Sequence, residues 1–338
     1  LQLPGPEVEE AARRIAARCG LTPAVARILA GRGLTPEAVI PFLEPRLDRM
    51  HDPFLLPDME VAARRLARAV AAGEAIGIFA DYDVDGVTSC ALLTEFLGGC
   101  GATVHRYLPD RMREGYGLNA QGLEALAAAG CRVVVTVDCG INARGPAARA
   151  RELGLDLIIT DHHEVEEPLP EALAVVDPKR PDSRYPFAEI AGCGVAFNLA
   201  VAVRRCLAEA GHFPEGPPDL RPLLDVLALG TIGDMVPLVD VNRAWVRRGL
   251  ALLNGRVRPG LRALASAAGL DGRPLTAGQV AFQLAPRINA LGRLGDPTAG
   301  VALLTAADAA TAAPLAERCQ QENQRRRQIE GRIVEEAV

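Results

Sequence analysis

Short apolar runs at 75–80, 102–108, 132–137, 155–160 and 173–176 alternate with helical stretches at 87–98, 120–129 and 142–153. Apolar strands separated by helices of this length predict βαβ units and a parallel, buried sheet. Gly73, Gly101, Gly130 and Gly154 each stand ahead of a strand, where helix C-caps are expected. Upstream, residues 7 to about 50 read as short helices, with Thr22-Pro23 and Thr35-Pro36 each supplying a cap and then proline at the first helical position. Beyond 190 the strand signal fades; 192–210, 220–230, 240–253 and 276–291 predict helices, and Gly211 to Pro218 a loop. One helical pattern runs from Asp308 to Val338 with Arg325, Arg326 and Arg327 inside it. The expected fold class is therefore α/β: a parallel sheet flanked by helices, a helical N-terminal preface, and a helical C-terminal part ending in a long helix.

At 338 residues, 49% apolar and 23% charged, the chain is expected to form two compact units at about 150 residues each, not a disordered polymer. No apolar run approaches the roughly 18 residues that cross a bilayer, so no membrane partner is expected. The first twenty residues mix Glu7, Glu9 and Glu10 with Arg13 and Arg14 and contain no apolar signal region. Position 1 is Leu, so the natural start is expected to lie upstream. Net charge is −5, so any polyanion must be held locally. The eight cysteines include no pair spaced by two residues, which argues against a thiolate zinc site and for reduced thiols in a cytoplasmic protein. Lysine occurs once, at Lys179, which leaves 37 − 1 = 36 arginines, side chains suited to forked contacts with phosphate.

Three acid-rich loops follow predicted strands: Asp81-Tyr82-Asp83-Val84-Asp85-Gly86, then Asp138, then Asp161-His162-His163. Carboxylates crowded into one turn repel unless a cation binds there. The first loop matches the opening of a calcium-binding EF-hand but fails at its twelfth position, which is Leu92 and not Glu. It also admits a reading as an aspartyl-nucleophile loop of haloacid-dehalogenase type, which needs a later cation, Lys179 or an arginine. Taken singly, an Asp after a strand is often only a helix cap. Jointly, all three loops leave the carboxyl edge of one parallel sheet, where ligands bind. Carboxylates with one or two imidazoles suit manganese or magnesium. Two such ions sharing a carboxylate, about 3.5 to 4 Å apart, activate water against phosphorus, so phosphoester hydrolysis is the expected reaction.

These motifs resemble the DHH phosphoesterases, the fourth motif being Gly233-Asp234-Met235-Val236-Pro237-Leu238. The stretches Tyr107 to Asn119, Pro286 to Gly295 and His51 to Pro57 are similar to the RecJ exonucleases within that family, bacterial 5′-to-3′ enzymes specific for single-stranded DNA. The resemblance implies two Mn2+ or Mg2+ ions, one held by Asp81, Asp83 and Asp138, the other by Asp85, Asp138, His162 and Asp234, with Asp138 as the bridge. It implies that His163 faces the scissile phosphate, that Asp161 orients the histidines, and that Arg111, Tyr116, Arg287, Asn289 and Arg293 meet substrate. Arg243, Arg247 and Arg248 are expected in surface salt bridges instead. The implied organisation is a helical segment at 1–57, a catalytic α/β domain at 58–215, a mostly helical part at 216–305 completing the site, and a long helix at 306–338 leading toward a further domain, DHHA1. The implied role is exonuclease action on single-stranded DNA in repair and recombination, in the cytoplasm, with single-strand-binding protein and a helicase as partners. The rivals are a family member acting on oligoribonucleotides or cyclic dinucleotides, and an inactive relative serving as a scaffold.

Overall fold

The computed structural model describes residues 5–337. Five strands, β1 (Ile76–Ala80), β2 (Val104–Tyr107), β3 (Val133–Val137), β4 (Asp156–Thr160) and β5 (Ala174–Val176), form one parallel sheet in the order β2-β1-β3-β4-β5. Each lies within one or two residues of its predicted run; β1 and β3, buried at every position, are apolar almost throughout, whereas the edge strand β2 is only partly buried and carries His105 and Arg106. Along β1 the two faces serve different cores: Ile76, Ile78 and Ala80 pack with the helices Met59–Ala72, Val84–Gly99 and Gly192–Glu209, whereas Phe79 packs with Ala120–Ala128 and Arg144–Glu152. The predicted cap glycines 73, 101, 130 and 154 all adopt positive φ.

Of the preface helices Pro6–Cys19, Pro23–Gly31 and Pro36–Leu43, the second and third start where the Thr-Pro pairs predicted, and all three close on a small core of their own around Ile15, Ala26, Leu29 and Val39. Arg243 and Arg247 do not form the surface salt bridges expected of them. The Arg243 guanidinium lies 3.7 Å over the Phe42 ring and donates to the Phe42 carbonyl, while Arg247 donates to that of Leu43. These contacts pin the preface to the helix Asp240–Gly255. They arise because an uncapped helix end leaves carbonyls that guanidinium groups can satisfy.

Beyond β5 the chain is helical among the described residues. It includes Pro259–Ala267 and Thr298–Leu304, which the apolar pattern did not mark, and a π-turn at Val280–Leu284 in the predicted 276–291 segment. The last helix runs over Ala309–Ala337. No helix among the described residues is long and apolar enough to cross a membrane.

Candidate metal centre

The sheet order reverses at β1. From there the chain proceeds to β2 on one side, and β3 to β5 build outward on the other. Loops leaving the two strands at such a reversal diverge and open a crevice. Asp81 follows β1 and Asp138 follows β3, so both stand in it. Asp83 caps the helix Val84–Gly99, its carboxylate accepting from the Asp85 and Gly86 amides at 2.8 and 3.1 Å. Asp85 in the first turn accepts from the Gly192 and Cys193 amides at 2.6 and 2.9 Å, the N-terminus of a second helix. Asp234 ends the helix Leu224–Gly233 and enters from the opposite wall.

The donor atoms converge. Asp81, Asp83 and Asp138 offer oxygens all within 4.8 Å of one another, as do Asp85, Asp234 and the ring nitrogen of His162, and Asp138 also groups with His162 and His163. His162 Nε2 stands 3.1 Å from Asp138, 3.6 Å from Asp85 and 3.8 Å from Asp234. Yet Asp81 Oδ1, Asp138 Oδ1 and His162 Nε2 are buried and make no hydrogen bond among the described residues, the 3.1 Å approach of His162 Nε2 to Asp138 Oδ1 not being aligned for one. Buried polar atoms are ordinarily paired, so crowded, unpaired oxygens and an imidazole nitrogen are what ligands awaiting a cation look like. The donor set is of hard oxygens and imidazole and fits a manganese or magnesium pair.

The electrostatics agree. Burial and the neighbouring Asp83 push the Asp81 carboxyl up to about 7. Burial and Asp85 push Asp234 up to about 8, and burial with Asp85, Asp83 and Asp81 drives Asp138 well above the carboxylate range. Burial holds His162 below the usual imidazole value, leaving it neutral and able to ligate. His163 is the reverse: its Nδ1 lies 2.6 Å from Asp161 Oδ1, and that hydrogen bond raises it to about 9. Asp161 also accepts from the Ile141 and His162 amides, so it is committed to holding the two histidines and the loop after β3.

Of the expected substrate contacts, Arg111 lies 5.5 Å over the Tyr82 ring and Tyr116 is exposed, edge-on to both Tyr82 and His163. Arg293 is exposed on the helix Ala285–Leu294. Arg287 and Asn289 make contacts within the chain: Arg287 donates to Gln320 at 2.8 Å and to the Gln283 carbonyl, and Asn289 Oδ1 accepts from the Val84 amide at 2.7 Å. Asn289 thereby supports the acidic turn from behind. A cavity of about 600 Å3 opens beside the site between Tyr116, Leu118, Ile141, Pro146 and His163.

Sequence reasoning missed the amides of Gly192 and Cys193, since a backbone donor leaves no residue-type signal. The glycine itself was a readable clue: a Cβ at Gly192 would come within 2.7 Å of Asp138 Cβ and 2.8 Å of its Oδ1. Gly192→Ala is expected to cost about 1–3 kcal/mol by overpacking. It should also weaken Mn2+ binding by displacing Asp138, to be read by urea unfolding and by titration calorimetry.

Residues 75–231 match the DHH family, N-terminal domain. Over 319 residues, 94% of this chain and 39% of the relative, the sequence is 41% identical to the single-stranded-DNA-specific exonuclease RecJ of Bacillus subtilis (strain 168). A crystal structure of exonuclease RecJ bound to manganese superposes with a TM-score of 0.74 at 36% identity, covering 83% of this chain and 69% of that one. RecJ in complex with Mn2+ from Thermus thermophilus gives 0.82 at 32% identity, covering 99% and 46% respectively. The chain thus spans less than half the length of its Bacillus relative.

Proposed function

The chain belongs to the DHH family, and on that premise we propose that it carries the catalytic core of a two-metal exonuclease removing nucleotides from single-stranded DNA in the 5′-to-3′ direction, in repair and recombination. The observation that carries the reading is the set of three orphaned atoms, on Asp81, Asp138 and His162, where two donor groups meet. Asp81, Asp83 and Asp138 would hold one Mn2+ or Mg2+ and Asp85, Asp138, His162 and Asp234 the other. When bound, such a pair activates water toward phosphorus and offsets charge on the leaving oxygen.

The chain's own residues do the rest. His163, half-exposed and protonated through its bond to Asp161, presents a positive N–H donor toward the scissile phosphate. Tyr116, exposed and edge-on to the buried Tyr82, offers a face on which a base can stack, and Arg111 and Arg293 supply guanidinium contacts to the strand. The names of the relatives support the substrate. A reducing, cytoplasmic setting is supported by eight cysteines that are all unpaired, seven of them buried. Single-strand-binding protein and a helicase, as partners, have the sequence resemblance as their support.

The test compares hydrolysis of long single strands labelled at either end, duplexes, dinucleotides and cyclic dinucleotides with Mn2+. Mononucleotide release from the 5′ end of single strands is expected. Faster hydrolysis of dinucleotides would replace the reading with a small-substrate phosphodiesterase, and strand binding without a metal-dependent product would replace it with a scaffold.

A further inference from the structure

We propose that Lys179 is a substrate-positioning cation of this site, an ammonium that exchanges its ion pair with Glu164 for a phosphate of the bound strand. The proposal rests on the single-strand reading above and adds to it a residue from a loop outside the family motifs. Lys179 lies just beyond β5, so its loop leaves the same sheet edge as the acidic turns.

The loop is anchored from beneath. Asp177, fully buried, accepts from the Lys179 amide at 2.7 Å, and its other oxygen has no partner among the described residues. The lysine stem is mostly covered while Nζ reaches Glu164 at 2.9 Å, and the side chain of Glu164 is 87% exposed. Glu164 directly follows His163 and lines the cavity that Tyr116 opens onto. An ion pair with so exposed a carboxylate contributes little, and a phosphate can displace it at small cost.

Composition makes the same point. Thirty-six of the 37 cationic side chains are arginine, so a guanidinium serves everywhere else in this chain. Lysine differs in being a compact point charge with three rotatable donors, whereas arginine is a planar fork whose partners must fit it. A group that changes partners between a carboxylate and a moving phosphate favours the former.

The experiment measures kcat and KM for a single-stranded oligonucleotide with Mn2+ between about 50 and 200 mM salt. Lys179→Ala should raise KM roughly tenfold, the size of one charge-assisted contact, with kcat changed far less. It should also reduce the salt dependence of log KM by about 0.7, the share of one phosphate on a single strand. Lys179→Arg should restore that slope, and Glu164→Gln should leave KM unchanged or lower it. An unchanged slope in Lys179→Ala, or a Glu164→Gln variant that reproduces the loss, overturns the proposal and makes Lys179 a loop anchor. Wild-type protein that hydrolyses no single strands overturns the underlying reading before any variant is made.

Discussion

Asp138→Asn is expected to lower strand hydrolysis by about 10³-fold or more, ~4 kcal/mol of transition-state stabilisation, while the metal-free protein melts no lower than wild type. Both halves follow from where Asp138 sits. It is the residue common to the Asp81–Asp83 group and the His162–His163 group, and its Oδ1 is buried and unpaired. Without a cation its carboxylate is a liability, because burial and four neighbouring aspartates, Asp85, Asp83, Asp81 and Asp161, all oppose its charge. Asparagine has the same shape and no charge, and it tolerates the left-handed backbone that Asp138 adopts at φ 61°. The fold therefore loses a repulsion, while the cation pair loses its shared ligand. His162→Ala should abolish hydrolysis likewise. Oligonucleotide kinetics and calorimetry in chelator check the two halves separately; a variant within tenfold of wild-type kcat, or one melting many degrees lower, would refute the bridging role.

The sheet was legible because burial on both faces writes itself into the sequence as unbroken apolar runs, and Val133 to Val137 is such a run. The joint placement of Asp81, Asp138 and His162 was legible too, since parallel strands put the loops that follow them on one edge. What could not be read was anything carried by backbone or by packing. The helix Pro259–Ala267 lies between segments that the apolar period marked more strongly, and Asn289 reads as a polar surface residue until its carbonyl oxygen is found on the Val84 amide. Arg243 looked like any exposed arginine because its partners, an aromatic face and a main-chain carbonyl, are 201 residues away in sequence. Asp177 gave no signal because it lies outside the acid-rich loops, although burial raises its carboxyl to about 8.

These raised carboxyls make stability depend on pH in a direction opposite to ordinary acid denaturation. Asp81, Asp177 and Asp234 have ordinary values near 3.8 and are raised to about 7, 8 and 8 in the folded chain. Between those limits the native state binds more protons than the unfolded one, so stability is lost as pH rises through the window. His163, raised from 6.5 to about 9, acts in the same direction at higher pH, its contribution being complete below 6.5 and lost as pH rises through 9. His162, held below 6.5, opposes them over its own window, and Asp161, lowered by its bond to His163 against the effect of burial, varies only at more acid pH. The metal-free protein should therefore lose thermal stability from about pH 5 to pH 8. Mg2+ must reverse the trend, since it binds the ionised carboxylates, releases their protons and stabilises only the folded state. The rise in Tm on adding saturating Mg2+ is thus expected to grow across the same interval, with proton uptake by the buffer visible in titration calorimetry near pH 7. A Tm increment independent of pH would mean that the aspartates are already ionised in the empty site. The repulsion inferred from their crowding would then be absent, and with it the physical reason for a cation to bind there.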